Sequence, residues 1–158
     1  MPAILKGWFD RVVVGGFAFS MDPVTGRRLR FENGPFVGKR VFVVSTLGDR
    51  LEAIGPRGRA GPVAEMMFGF LHGTLAYTGM SVMEPLPVTS ADFIDEAGFT
   101  GAVAVLARRL DGLFTDPPMP FRPQYQGDYT DKGELVANVR PGETGVSIHL
   151  LAGEEVAD

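Results

Sequence analysis

The stretch from Ser45 to Gly48 is the part of the sequence best suited to bind a ligand. It follows Val41-Phe42-Val43-Val44, a short apolar run whose β-branched and aromatic residues favour a strand buried on both faces, as in a parallel sheet. In open α/β sheets, ligands bind beyond the carboxyl ends of the strands. The sequence therefore predicts a binding site at Ser45-Thr46-Leu47-Gly48.

Two other groups of residues could bind a phosphate or a metal ion, but for both we favour a structural role. The glycine-rich loop from Gly55 to Gly61 precedes a predicted helix, whose N-terminus attracts anions, but it lacks the Gly-Lys-Ser/Thr ending of a phosphate loop. His72 and His149 lie far apart in sequence with no carboxylate pattern around them, so we predict no metal site. The chain has no cysteine, which excludes thiolate catalysis, disulfides and cysteine-bound metals within it.

A strand, a helix and a second strand must position the predicted site. Pro62 and Gly79 are typical of a helix start and a helix end, and the residues between them are apolar nearly all the way round. This pattern predicts a buried helix. Ser81-Val82-Met83 then starts a second strand, which we expect Pro85 and Pro87 to stop. The whole is a βαβ unit, whose crossover should be right-handed.

Helical spacing of apolar residues predicts two further helices, from Pro2 to Val14 and from Phe99 to Leu113. The first has an apolar face that includes Trp8, and we expect the second to dock on the sheet from one side. Two convincing buried strands are too few to cover these helices, because isolated strand pairs are marginal in water. We therefore expect that the chain borrows a sheet from a partner or that its N-terminal part is missing.

Prolines dominate the sequence after this helix. They favour an extended stretch and divide the chain into residues 1–116 and a proline-rich arm, residues 117–158. Within the arm, residues 135–139 and 146–150 could pair as a hairpin through Pro141-Gly142. Earlier in the chain, the basic cluster of Arg27, Arg28 and Arg30 is predicted to be a solvated loop.

Composition limits the choice of partners and compartment. The formal net charge of −4 over 158 residues gives no electrostatic reason to expect nucleic acid or acidic membrane partners. No apolar run approaches the length of a membrane span, and the N-terminus does not resemble a signal peptide. The absence of cysteine fits a reducing compartment, so we predict a cytoplasmic protein.

The N-terminal residues resemble a known family. The run Met1-Pro2-Ala3-Ile4-Leu5-Lys6-Gly7-Trp8-Phe9-Asp10-Arg11-Val12, followed by Gly16-Phe17-Ala18-Phe19, is similar to the NAD(P)H:quinone oxidoreductases, which are flavodoxin-like flavoproteins. The resemblance implies an α/β architecture: a flavodoxin-like parallel sheet with flanking helices and an extended C-terminal tail. It also implies that the sheet is N-terminally incomplete, because family members begin with strands and a phosphate loop that this sequence lacks.

The resemblance also implies a function and a set of site residues. Family members bind FAD or FMN and use NAD(P)H to reduce a quinone-like small molecule by two-electron transfer, as homodimers. By this resemblance, the backbone N–H groups of Ser45, Thr46, Leu47 and Gly48 would bond the edge of the flavin ring. Phe19, Met21 and Tyr77 match residues that line the acceptor pocket of the family.

Two positions depart from the family pattern. Asp49 stands where the family often has a second glycine, and Ala60 matches a histidine associated with charge relay in the family's quinone reductases. These departures keep a second interpretation open, in which the chain is a non-catalytic flavodoxin-like remnant that serves as an interaction or regulatory module.

Overall fold

The computed structural model describes residues 2–151, in which short strands are flanked by helices. The α-helices are α1 (Ala3–Val12), α2 (Val63–Met66), α3 (Phe68–Phe70) and α4 (Glu96–Asp111). The strands are β1 (Ser20–Met21), β2 (Arg28–Leu29), β3 (Arg40–Val41), β4 (Val44–Thr46), β5 (Ser81–Val82) and β6 (Leu86–Val88). A π-helical segment spans Leu71–Leu75, and 3-10 turns span Phe31–Asn33, Leu51–Ile54, Ala76–Thr78, Ala91–Phe93 and Val146–His149.

The predicted parallel pairing is present, and it extends further than the sequence indicated. β3 pairs with β5 in the register Arg40↔Ser81, and β4 pairs with β6 in the register Val44↔Leu86, both parallel. The two registers differ by one residue, so the ladder is interrupted between them. Pro87 does not stop the second strand, because the adjacent residues make the bonds: Leu86 N–H donates to Val43, and Val88 accepts from Leu47.

The segment that connects the strands is buried along one side, so the expectation of a helix buried all round is wrong. It begins after Pro62 and ends at Gly79, which adopts the predicted left-handed conformation with φ 99°. Leu71 and Leu75 are buried and form the core cluster with Ala76, Val82 and Met119. Met66, in contrast, is 51% exposed, so this side of the segment faces away from the core.

The outer helices are close to their predicted bounds but bury no residue fully. Trp8 of α1 is 53% exposed and Phe99 of α4 is 60% exposed. α4 begins at its N-cap Asp95, whose carboxylate accepts from Gly98 N–H. It meets the sheet through Arg109, which lies over the Phe42 ring. The predicted shortage of sheet is evident, since each sheet within residues 2–151 has two strands.

The C-terminal arm folds back on the core. Met119 N–H donates to the carbonyl of Val82, and both side chains belong to the core cluster. The expected hairpin does not form in residues 135–150, because Val146–His149 is a 3-10 turn and Leu150 bridges Phe121 instead. Residues 152–158 of the predicted arm lie outside the described residues, and the domain boundary after residue 116 stays a prediction.

No helix within residues 2–151 is long and apolar enough to cross a bilayer.

Candidate functional site

The predicted binding turn lies where the sequence placed it, at the carboxyl end of β4. Ser45 and Thr46 are the last strand residues, and the chain turns away at Leu47 and Gly48. Leu47 N–H donates to Val88 at 2.9 Å, so this donor is used by the sheet. Because hydrogen-bonding groups alternate in direction along a strand, the amide of Thr46 faces the edge of β4 opposite β6. That edge has no neighbouring strand in residues 2–151.

Two polar groups of this turn lack a partner within residues 2–151. The Ser45 hydroxyl is shielded from water and makes no hydrogen bond, a costly arrangement that is uncommon in native structures. The Gly48 N–H likewise donates to no acceptor in this part of the chain. A Cβ at Gly48 would lie 2.9 Å from Asp92 Oδ2, so the turn is tight. The Gly48 N–H can serve a ring that carries hydrogen-bond acceptors, whereas the Ser45 hydroxyl is buried and does not line the cleft that begins at Gly48.

A cleft of about 740 Å³ begins at Gly48 and is rich in charge. Its walls include Asp49 and Arg59, whose Oδ1 and Nη2 atoms are 2.7 Å apart. Asp49 therefore points along the cleft toward Arg59. Both side chains are substantially exposed, at 40% and 78%. Arg57 lines the same cleft, while Ala60 uses its backbone N–H to bond the Ala53 carbonyl.

The three predicted acceptor-pocket residues line one pocket of about 400 Å³. The Phe19 and Tyr77 rings meet edge to face, with centroids 5.6 Å apart. Met21 belongs to β1 and is 55% exposed at the pocket mouth. This pocket and the Gly48 cleft share no lining residue. The structure therefore brings Phe19, Met21 and Tyr77 together, and it keeps Gly48 in a separate cavity.

Sequence reasoning missed two arginines of this pocket. Arg28 and Arg30 line it. Arg28 lies in β2 opposite Met21, so the prediction of a loop is wrong at this residue, although its side chain is exposed as predicted, and Arg30 is half-buried just after the strand. Arg30 Nε donates to the Tyr125 hydroxyl at 2.8 Å, a bond that raises the pKa of the guanidinium.

His72 lies in a separate aromatic cluster. Its ring stacks on Phe68 with centroids 4.8 Å apart, and Phe31 lies 5.1 Å away on a left-handed backbone. Burial, reinforced by the nearby His149, lowers the pKa of His72 to about 4, and Nε2 has no partner in the described residues. No group of three metal-binding side chains occurs within residues 2–151. His72 is thus a neutral packing residue in this structure.

The fold and the turn now define the class of protein. A family model described as "Flavodoxin-like fold" matches residues 1–110, and the chain belongs to this family. The parallel strands with flanking helices agree with that assignment, which confirms the predicted fold class.

Particular relatives are quinone reductases by name. The chain is 34% identical over its whole length to "Ribosyldihydronicotinamide dehydrogenase-like protein traD" of Penicillium crustosum, and 27% identical over 99% of its length to NAD(P)H dehydrogenase (quinone) 1 of Cavia porcellus. A solved structure described as a "Putative quinone reductase" from Klebsiella pneumoniae is 40% identical over 95% of this chain, with a TM-score of 0.88. The chain covers 60%, 57% and 59% of these proteins, respectively.

Proposed function

We propose that this chain forms part of a flavin-dependent NAD(P)H oxidoreductase that reduces a quinone or similar acceptor by two-electron transfer. The observation that carries the proposal is the 40% identity and TM-score of 0.88 to the Klebsiella protein over 95% of the chain. The names of the curated relatives agree with this activity. Because the chain spans about three fifths of their length, the activity is proposed for the protein and is not an observed property of this chain.

The residues of the β4 turn would hold the flavin, either FAD or FMN. When bound, this cofactor supplies the hydride-transfer chemistry. Thr46 and Gly48 would present backbone N–H groups to the ring edge, while Ser45 would contribute its position at the end of β4. Backbone donors suit this role because they stabilise negative charge without moving. The Leu47 N–H is already bonded to Val88, so Leu47 would contribute its position in the turn.

The pocket of Phe19, Met21 and Tyr77 would receive the acceptor, with NAD(P)H as the co-substrate. Aromatic edges and faces bind planar rings through burial and quadrupole contacts. In this role the chain's residues orient the ring and exclude water, and none of them needs to exchange a proton. Ala60 carries no titratable group. We therefore propose no charge relay of the kind associated with the histidine at this position in the quinone reductases.

The second candidate is a non-catalytic remnant that acts as an interaction or regulatory module. The observation that favours it is the replacement of the relay histidine by Ala60, together with the Asp49–Arg59 ion pair beside the turn. Such a module would dock on a flavodoxin-like partner through the unpaired edge of β4. Flavin binding and turnover separate the two candidates.

The test compares the 158-residue chain with a longer version, in which the part of the Klebsiella protein that the chain does not match is fused to it. Flavin titration should give weak binding to the chain and tight binding to the longer version, which should also oxidise NAD(P)H with a naphthoquinone. Gly48→Pro should weaken flavin binding, because proline removes the N–H proposed to face the ring, while Gly48→Ala, whose Cβ meets only the carboxylate end of Asp92, should weaken it less. A longer protein that binds no flavin and oxidises no NAD(P)H would establish the remnant candidate instead.

Two further properties belong to the proposal. The active assembly is proposed to be a homodimer, supported by the exposed apolar side chains of α1 and α4. The proposed compartment is the cytoplasm, supported by the absence of cysteine in the sequence.

A further inference from the structure

We propose that the pocket of Phe19, Met21 and Tyr77 binds a planar ring that carries an anionic group, which Arg28 and Arg30 recognise. The proposal rests on the function proposed above and specifies the chemical class of its ligand. The observation that supports it is that two guanidinium groups and two aromatic rings line the same pocket.

The backbone fixes both arginines on the pocket side. β1 and β2 pair antiparallel, with Met21 opposite Arg28 and Ser20 opposite Leu29. Arg28 is in β2, and Arg30 follows it by two residues in an extended conformation. Their side chains therefore project to the same side of the chain. Residues paired across strands have neighbouring Cβ atoms, which places Arg28 beside Met21 at the pocket mouth.

Arg30 is held in place by aromatic residues. Its guanidinium carbon lies 5.9 Å from the centroids of both the Phe31 and Tyr77 rings, within cation–π range. Its Nε donates to the Tyr125 hydroxyl at 2.8 Å. A guanidinium fixed at Nε and against a ring still carries Nη donors, the groups that bind carboxylate, sulfonate or phosphate oxygens.

The charge of this pocket has no counterpart among its lining residues. Within residues 2–151, neither Arg28 nor Arg30 forms an ion pair, and no carboxylate lines the pocket. The same two arginines also line an adjoining cavity of about 550 Å³, whose other charged lining residues are Arg27 and Asp131, so cations still outnumber carboxylates there. A ring on the Phe19–Tyr77 side could therefore extend its anionic group between the arginines into that cavity. A neutral quinone would leave both cations unused.

Two sources could supply this chemistry: an acidic substituent on the acceptor, or the phosphates of the pyridine nucleotide. The experiment measures binding to the 158-residue chain by calorimetry with four probes. 1,4-Naphthoquinone-2-sulfonate is compared with 2-methyl-1,4-naphthoquinone for the first source. NADPH is compared with NADH for the second, because the two differ by one phosphate.

The expected result is tighter binding of the anionic member of at least one pair. Arg28→Gln and Arg30→Gln should each weaken that binding roughly five- to tenfold, as expected for one charge-assisted contact in a partly exposed site. Raising the salt from about 0.05 M to about 0.5 M should reduce the preference, because salt screens exposed charges. Arg108→Gln is the matched control: it removes the same charge from an exposed residue of α4 that lines neither cavity, and it should leave binding unchanged.

The outcome assigns the source or overturns the proposal. A preference for the sulfonate that both arginine variants abolish places the anion on the acceptor, and the same result for NADPH over NADH places it on the nucleotide. Equal binding of both members in both pairs, or an equal loss in Arg108→Gln, would overturn the proposal. Reduction of neutral quinones by the longer protein could still succeed in that case, so the two proposals fail separately.

Discussion

Arg59 Nη2 lies 2.7 Å from Asp49 Oδ1, an ion pair between residues ten positions apart that neutralises the carboxylate beside the binding turn. An unpaired carboxylate at Asp49, a position where the quinone oxidoreductases often have glycine, would oppose the negative charge of a reduced, anionic flavin. In the structure the charge has a partner on the loop that follows. The net field that the pair exerts on a ligand at Gly48 is therefore smaller than that of Asp49 alone.

The first prediction concerns this pair in the longer, flavin-binding protein. Arg59→Gln should lower the flavin reduction potential by roughly 20 mV, equivalent to about 1 kcal/mol for two electrons, because Asp49 then acts unpaired on the reduced ring. Asp49→Gly should raise the potential, and the double variant should return close to the parent value. Potentials are measured by equilibration with reference dyes. Arg57→Gln controls for a general loss of positive charge from the cleft.

An unchanged flavin reduction potential in all of these variants would contradict this prediction. If Arg59→Gln, Asp49→Gly and the control share the parent potential, the pair is a surface feature that does not influence the flavin. Exposed ion pairs commonly contribute little, which makes this a demanding test.

The second prediction concerns pH and His72. Burial lowers the pKa of His72 to about 4, below the value near 6.5 expected in the unfolded chain. The unfolded state therefore binds more protons between these two values, so the free energy of unfolding should be highest above about pH 6.5 and should fall as the pH drops toward 4. The loss from His72 should be on the order of 1–2 kcal/mol after allowance for its partial exposure.

The measurement is denaturant unfolding at several pH values for the parent and for His72→Phe. The phenylalanine keeps an aromatic ring against Phe68 and Phe31 but cannot be protonated. Its stability should depend less on pH than that of the parent, with the remaining dependence including His149, whose pKa is also lowered by burial. Parallel pH profiles for the two proteins would show that His72 is not the titrating group.

Sequence patterns were most informative where local chemistry decides the structure. Gly79 ends its helix in the predicted left-handed conformation, because a helix C-terminus depends on a few adjacent residues. The parallel pairing of residues 41–44 with the chain after Ser81 was predicted correctly, since a βαβ unit leaves few alternatives. The prediction of one strand buried on both faces is wrong, because the ladder is interrupted at Phe42-Val43 and Val44 is 44% exposed.

Features set by distant contacts could not be predicted in the same way. The sequence shows Pro85 and Pro87 as strand breakers, but it does not reveal that the Pro87 amide faces away from β4. Residues 146–149 alternate like a strand, yet contacts with Phe121 and Arg122 place them in a 3-10 turn. The arginines of the acceptor pocket were missed because a charge cluster carries no information about the ring opposite it.

The third prediction tests the close approach of two backbone segments. A Cβ at Gly34 would lie 2.3 Å from the Thr78 carbonyl oxygen, and this is a backbone atom that cannot rotate away. Gly34→Ala should therefore destabilise the chain by roughly 2–4 kcal/mol. Gly69→Ala is the control, because a Cβ there meets nothing within 4 Å and alanine favours the helix. Chemical denaturation should separate the two variants, and equal stabilities would mean that the loop shifts freely.

The last prediction concerns the apolar face of α1, defined by Ile4, Leu5 and Trp8. Ile4 is 91% exposed and Trp8 53% exposed, one helical turn apart, so this face forms a contiguous patch of the kind that mediates association. The 158-residue chain should therefore self-associate as its concentration rises, which sedimentation velocity measures directly. Ile4→Lys should weaken association at least tenfold, because burying an isoleucine side chain contributes about 1.5–3 kcal/mol. Val24→Lys makes the same change in charge at an equally exposed loop residue and should leave association unchanged. A chain that stays monomeric at every concentration, or that responds equally to both lysines, would show that this face is not an interface.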